Sequence, residues 1–299
     1  MPRKLIPTEG AVTPAEALRF SEIATEVLTS PAYRIAGRKP RTSAEGEPHI
    51  GVLKEKRLHA AIKRYLSADE SCHEKLISEV YGLQDTKRRM VADILVDDHI
   101  MEVQTGGFFP LRDKLAWYLE NTPCRVTVVH PIPAVKYLSW IEPADGSVRS
   151  RARSPKRGRV RDVARELYWV SEFIGNPRFS IRLLLVELEE YRMADGWGRD
   201  GKRGSNRYER FPTALLGDVT LTTPADYATY FCPPELSSPA ADGVCPPFTA
   251  AAYAKCSGIR GRATYATIHL LERLGLCEEL PEPIGRARAY RMIPPADPF

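Results

Sequence analysis

The sequence predicts an α/β fold, a mixed sheet flanked by helices, followed by a small C-terminal helix-turn-helix with a wing. Three observations predict it. Periodicities of helix and strand type alternate in the order helix, strand, strand, strand, helix, strand after about Ile50. The Pro- and Ser-rich stretch "CPPELSSPAADGVCPP" then interrupts the pattern. Beyond it lie two helical repeats joined at Gly258 and two short strands around "PEPIG".

The elements follow in order. Thr13, Pro14 and Glu16 form an N-cap, a first helical residue and a capping-box partner, so "VTPAEALRFSEIATEVLTS" predicts a short helix. Residues 36–49 mix Gly, Pro, Ser and charge without a period and predict a linker, closing a segment over 1–49. In "LKEKRLHAAIKRYLS", Leu53, Leu58, Ala61, Ile62, Tyr65 and Leu66 share a helical face. Strands are expected near "ISEVYG" and in the hairpin "VADILVDDHIMEVQTGG". A helix is expected in "LRDKLAWYLENT", a buried strand in "CRVTVVHPI" and a further hairpin in "KYLSWIEPADGSVRSR". The core thus spans 50–148. A basic connector with a helix and a strand pair, which could instead extend the core, occupies 149–231, a linker 232–247 and the winged segment 248–299.

Composition narrows the class. A chain of 299 residues suits two or three domains. Apolar runs such as "RLLLVEL" are far shorter than the roughly 20 residues that span a bilayer, so no membrane association is expected. The start "MPRKLIPTEG" lacks an apolar segment of signal length, which points to the cytoplasm. Six scattered cysteines without C-x-x-C spacing read as reduced thiols rather than a zinc site or disulfide framework. The net charge of +5 is mild but uneven. No glycine-rich phosphate loop appears, so motor activity driven by nucleotides has no support.

The hairpin carries the chemistry. Residues two apart on a strand share a face, so Ile100, Glu102 and Gln104 point one way. A turn at Asp97 and Asp98 sets Asp93 opposite Glu102. Two carboxylates so paired repel unless a positive charge lies between them, and their oxygen ligands suit Mg²⁺ or Mn²⁺. A solvated sheet face without function is the plainer alternative.

With these residues in view, "VADIL" followed by "HIMEVQTGGF" resembles the core of the PD-(D/E)XK phosphodiesterase superfamily, the restriction-endonuclease-like fold. The resemblance implies that Asp93 is the strand aspartate, Glu102 the acid of the acid-x-Lys motif and Glu55 the helix carboxylate. Asp93 and Glu102 would be the metal ligands. Together "EKRLHAAIKRYL", "EVQTGGFFPLRDKL", "VTVVHPIP" and "RSPKRGR" resemble bacterial proteins that join such a core to a C-terminal winged helix. Gln104 stands where the superfamily has Lys, and Lys114 on the following helix is the candidate replacement. In the active reading Gln104 orients the attacking water, Lys114 neutralises charge and Glu55 completes the metal shell. Glu55 could instead pair with Arg57 or His59 in solvent, with Glu79 as its substitute in the site, and Lys114 could be an exposed helix lysine. His130 reads as a structural residue at a strand end.

DNA is the expected partner. Arg151, Arg153, Lys156, Arg157 and Arg159 lie in the most basic stretch, suited to following phosphates, or to forming a solvated connector. On the second C-terminal helix Arg262, Thr264, Tyr265 and His269 are expected off the apolar stripe, with Arg286, Arg288 and Arg291 in or beside the wing. Winged helices also serve as docking or dimerisation modules, so a homodimer is a further expectation. Trp197 and Tyr208 sit among basic residues in a loop where bases could stack. The resulting expectation is a metal-dependent DNA endonuclease; the alternative is an inactive nuclease-fold protein that binds DNA or regulates.

Overall fold

The computed structural model describes residues 10–30, 57–83, 90–142, 148–193 and 206–294. The chain divides into two compact units, one drawn from Met1–Ser71, Pro133–Gly158 and Leu185–Gly217 and the other from Cys72–Ile132, Arg159–Leu184 and Asp218–Phe299. Glu55 and Trp197 lie outside the described residues, as does the side chain of Tyr208.

In the first unit, α1 (Pro14–Thr29) starts at the expected capping box, with Thr13 and Glu16 reciprocally bonded. It packs on α2 (Arg57–Leu66): Phe20 and Tyr65 meet edge to face at 5.1 Å, and Arg19 donates to the Tyr65 carbonyl at 3.1 Å. Arg57 pairs with Glu209 at 2.9 Å. Two adjacent acids are buried in this unit and both are compensated. Glu189 accepts from Ser139 at 2.6 Å and from Arg151 at 3.0 Å, while Glu190 meets Arg192 at 2.6 Å. Removing one partner of such a buried pair would leave an uncompensated charge and cost about 3 to 5 kcal/mol.

A seven-stranded mixed sheet organises the chain. Its strands are β1 (His73–Leu76), β2 (Val91–Val96), β3 (His99–Val103), β4 (Arg125–Ile141), β5 (Val148–Arg153), β6 (Phe179–Met193) and β7 (Asn206–Leu221). The order is β1-β2-β3-β4-β6-β7, with β5 paired to β4. Pairing is antiparallel for β1 with β2, β2 with β3 and β4 with β5, and parallel for β3 with β4. Most of β5 and all of β6 and β7 come from residues 149–231 and join the same sheet. The expected hairpin after "KYLSW" is present as β4 and β5.

The parallel step from β3 to β4 carries the site. A parallel neighbour needs a crossover, and here it contains a 3-10 turn (Phe109–Leu111) and α4 (Arg112–Asn121). Leu115 and Tyr118 of α4 are fully buried, as is Ile100 on β3. Each such burial contributes about 1.5 to 3 kcal/mol and fixes which helix face meets the sheet. Arg178 seals the far end of α4, donating to the Thr122 carbonyl at 2.6 Å and also to the carbonyl of Leu119.

The strand expected at "ISEVYG" is not one. Residues Ile77–Val80 form the helical turn α3, and the preceding "HEKL" is β1. An edge strand with one fully exposed and three half-buried residues shows no alternation to read, whereas Ile77 is buried and caps the core.

In the second unit, a 3-10 turn (Val160–Val163) leads to α5 (Ala164–Val170), which packs against α9 (Arg262–Arg273). Helices α6 (Pro224–Phe231), α7 (Pro234–Ser237) and α8 (Ala250–Ser257) precede it, so the segment expected as a linker includes a helical turn with Leu236 buried. Gly258 takes the left-handed conformation at φ 72° that ends α8, and Arg161 donates to the adjacent Ser257 carbonyl at 2.6 Å. A three-stranded sheet of β8 (Pro247–Thr249), β10 (Ala287–Met292) and β9 (Cys277–Ile284), in that order, completes the segment. Among the described residues no helix is long and apolar enough to cross a membrane.

Candidate functional site

The hairpin register follows the turn arithmetic. Ile94 pairs with Met101, Leu95 with Ile100 and Val96 with His99, a register whose continuation by one position would set Asp93 against Glu102. Asp97 adopts the left-handed backbone conformation that the tight turn requires, at φ 50°. Asp93 turns its carboxylate onto β3, where Oδ2 accepts the Val103 amide at 2.8 Å.

Glu102 faces α4 and is 2 % exposed. Lys114 donates to its Oε2 at 2.7 Å, and the Tyr118 hydroxyl donates to its Oε1 at 3.0 Å. Lys114 and Tyr118 are one helical turn apart and so present both donors together. Burial pushes the Glu102 carboxyl up to about 7; Lys114 opposes that rise and the charge on Asp93 adds to it. The lysine expected as a replacement therefore reaches Glu102.

The strand end is held by a second set of contacts. Gln104 donates from Nε2 to the Gly107 carbonyl, and His130 Nδ1 bonds the Gln104 carbonyl at 2.6 Å. The Phe108 ring meets His130 edge to face at 5.1 Å, which agrees with a structural histidine. Glu166 of α5 accepts the Phe108 amide at 3.0 Å, and a Cβ on Gly107 would approach that carboxylate at 3.0 Å. The glycine thus lets the turn come close to α5. Tyr118 and Glu166 were missed by sequence reasoning. Tyr118 had a signal in its spacing from Lys114; Glu166 had none.

Asp93 and Glu102 could hold a hard divalent cation, since Mg²⁺ binds through one or two carboxylates and keeps several waters. Entry of the cation would require Glu102 to be ionised and to give up a hydrogen bond to Lys114 or Tyr118. Among the described residues no group of three or more His, Cys, Asp or Glu side chains forms a metal cluster.

The expected nucleic-acid contacts divide by exposure. Arg151 lies over the Tyr137 ring at 3.8 Å and is paired with Glu189, so part of its charge is committed. Arg153, Lys156, Arg157 and Arg159 are exposed. On α9, Arg262, Tyr265 and His269 are exposed on one face, with His269 bonded to Glu272 at 2.9 Å. Thr264 is buried and donates to the Ile259 carbonyl at 2.9 Å, which corrects its expected place off the apolar stripe. Arg286 is exposed, Arg288 meets Glu279 at 3.3 Å and Arg291 meets Glu278 at 3.6 Å. Glu79 is exposed on α3 rather than at a strand end.

A family model described as Domain of unknown function (DUF8091) matches residues 56–222, which include the whole carboxylate site. An uncharacterized protein of Treponema pallidum (strain Nichols) is 27% identical over 162 residues, covering 54% of this chain and 57% of the relative. The chain thus spans little more than half the length of that relative. No solved structure matches the chain.

Proposed function

We propose a phosphodiesterase activity on nucleic acid for this chain, which belongs to the family described as Domain of unknown function (DUF8091). The observation that carries the reading is the Lys114 ammonium 2.7 Å from a buried Glu102 that lies across the hairpin from Asp93. Acid, acid and lysine are the parts a restriction-endonuclease-like centre needs, and here the lysine comes from α4 instead of β3.

Asp93 and Glu102 would hold Mg²⁺ or Mn²⁺, which supplies a bound water of lowered pKa and a counter-charge for phosphate oxygens. Lys114 adds fixed positive charge where negative charge builds up on the phosphate. Gln104, with its amide nitrogen committed to Gly107, would orient a water through its amide oxygen. Tyr118 holds Glu102 in place from the buried side. The C-terminal segment supports a winged-helix reading through its order of helix, turn, helix and hairpin. In that reading Arg262, Tyr265 and His269 meet DNA from α9, and Arg286 and Arg288 follow its backbone.

A second reading has an observation of its own. Both Glu102 oxygens already have donors, so the charge pair is compensated without a metal, as suits an inactive scaffold that binds DNA. Nicking of plasmid and cleavage of single-stranded DNA with Mg²⁺ or Mn²⁺ separates the two. Cleavage that disappears in Asp93→Ala and in Glu102→Ala supports the enzyme. Salt-sensitive DNA binding without cleavage supports the scaffold.

A further inference from the structure

Phe109 and Tyr168 are large side chains left 59 % and 51 % exposed. Trp169 lies between them. Its ring meets Phe109 at 4.9 Å and Tyr168 at 5.3 Å, both edge to face at 76°. The three rings form one continuous row in which the exposed rings keep surface open to solvent. The core does not require that exposure, and contiguous exposed aromatics mark interaction sites.

The row shares a chain turn with the carboxylate centre. Phe109 opens the 3-10 turn that leads from Gln104 into α4, and Lys114 follows in the first turn of that helix. Tyr168 and Trp169 belong to α5, which is tied to the same turn through Glu166 and the Phe108 amide. Each exposed ring also has an exposed arginine one turn away, Arg112 after Phe109 and Arg165 before Tyr168. Arg112 pairs with Glu172 at 3.0 Å, but both side chains are more than 40 % exposed and such a pair contributes little, so a phosphate can take its place.

Alternating rings and guanidinium groups match the alternating bases and phosphates of an unpaired strand, whose ring faces are free to stack; in a duplex they are already covered. We propose that Phe109, Trp169 and Tyr168 form a base-stacking platform, and that unpaired nucleic acid is the substrate class of the carboxylate centre. The word substrate rests on the phosphodiesterase reading above. The binding half rests on the rings and the arginines beside them.

The test measures fluorescence anisotropy of three labelled ligands with the full chain in EDTA. They are an oligothymidylate strand, the same strand with abasic sites at its centre, and a duplex. Phe109→Leu and Tyr168→Leu keep apolar volume at exposed positions while removing the ring faces. Each is expected to weaken oligothymidylate binding about five- to a hundredfold, with abasic-strand and duplex binding changed by less than about twofold. Tryptophan emission should fall on adding oligothymidylate and not on adding the abasic strand. Equal wild-type affinity for the oligothymidylate and abasic strands overturns the proposal. So does leucine-variant binding as tight as wild type, or an equal loss for all three ligands, which would report a lost fold or lost charge.

Cleavage assays with Mg²⁺ distinguish this outcome from the fate of the enzyme reading. Stacking without any cleavage leaves the platform standing and removes the enzyme. Cleavage that depends on Asp93 but is indifferent to both leucine variants does the reverse.

Discussion

Replacing Lys114 with Met should make stability depend on pH in a way the wild type does not. Burial raises the Glu102 carboxyl in the folded chain from 4.5 to about 7, with Lys114 the largest force holding it down. A carboxyl raised on folding contributes full stability below its unfolded pKa and loses it as pH climbs through the folded value. The wild type therefore loses about 1.4 kcal/mol per pH unit from this group between about 4.5 and 7 and then levels off. Without the lysine the folded value lies higher, so the variant continues to lose stability beyond 7. The gap between the two should be small at pH 6 and widen toward pH 9, by at most about 1.4 kcal/mol per pH unit. Urea unfolding of both proteins at pH 6, 7.5 and 9 measures it. A gap that stays constant across those pH values would refute the coupling, since lost packing alone does not titrate.

The remaining predictions concern the same framework. Glu102→Gln keeps the shape and removes the titration, so the decline in stability between pH 5 and 7, about 2 kcal/mol for the wild type, should be absent in thermal melts of the variant. Tyr118→Phe leaves Glu102 Oε1 without its donor and should cost about 1 kcal/mol, read by chemical denaturation, with the pH midpoint of Glu102 moving upward. Arg178→Ala strips the carbonyls at the end of α4 of their donor and should destabilise by about 2 kcal/mol without changing the pH profile. If Glu102 holds a cation when ionised, cleavage should rise with pH through about 7, and raising Mg²⁺ should move that midpoint downward.

The hairpin was legible because its information is local. A period of two and a two-residue turn fix the register, so Asp93 and Glu102 could be set opposite each other from the sequence alone. Lys114 was legible as a candidate because the helix after the strand has little room to begin elsewhere. What the sequence hides is long-range. Glu166 reaches the Phe108 amide across 58 positions, and the row of Phe109, Trp169 and Tyr168 joins two segments with no shared motif. The strand "HEKL" was missed because an edge strand buries too little to leave a pattern. "ISEV" was misread because its β-branched residues look like a strand when only Ile77 is packed. The strand that pairs Arg151 and Arg153 with β4 is legible as the second arm of the hairpin in "KYLSWIEPADGSVRSR", although charge masks where it ends.

The most direct test of the account is single-turnover cleavage of labelled DNA by the full chain with Mg²⁺ at pH 8, beside Asp93→Ala and Lys114→Met. The account predicts cleavage by the wild type that falls at least about a hundredfold in each variant, in line with losing one electrostatic group at a reacting centre. Absence of wild-type cleavage with either Mg²⁺ or Mn²⁺, or equal cleavage by all three proteins, would contradict it.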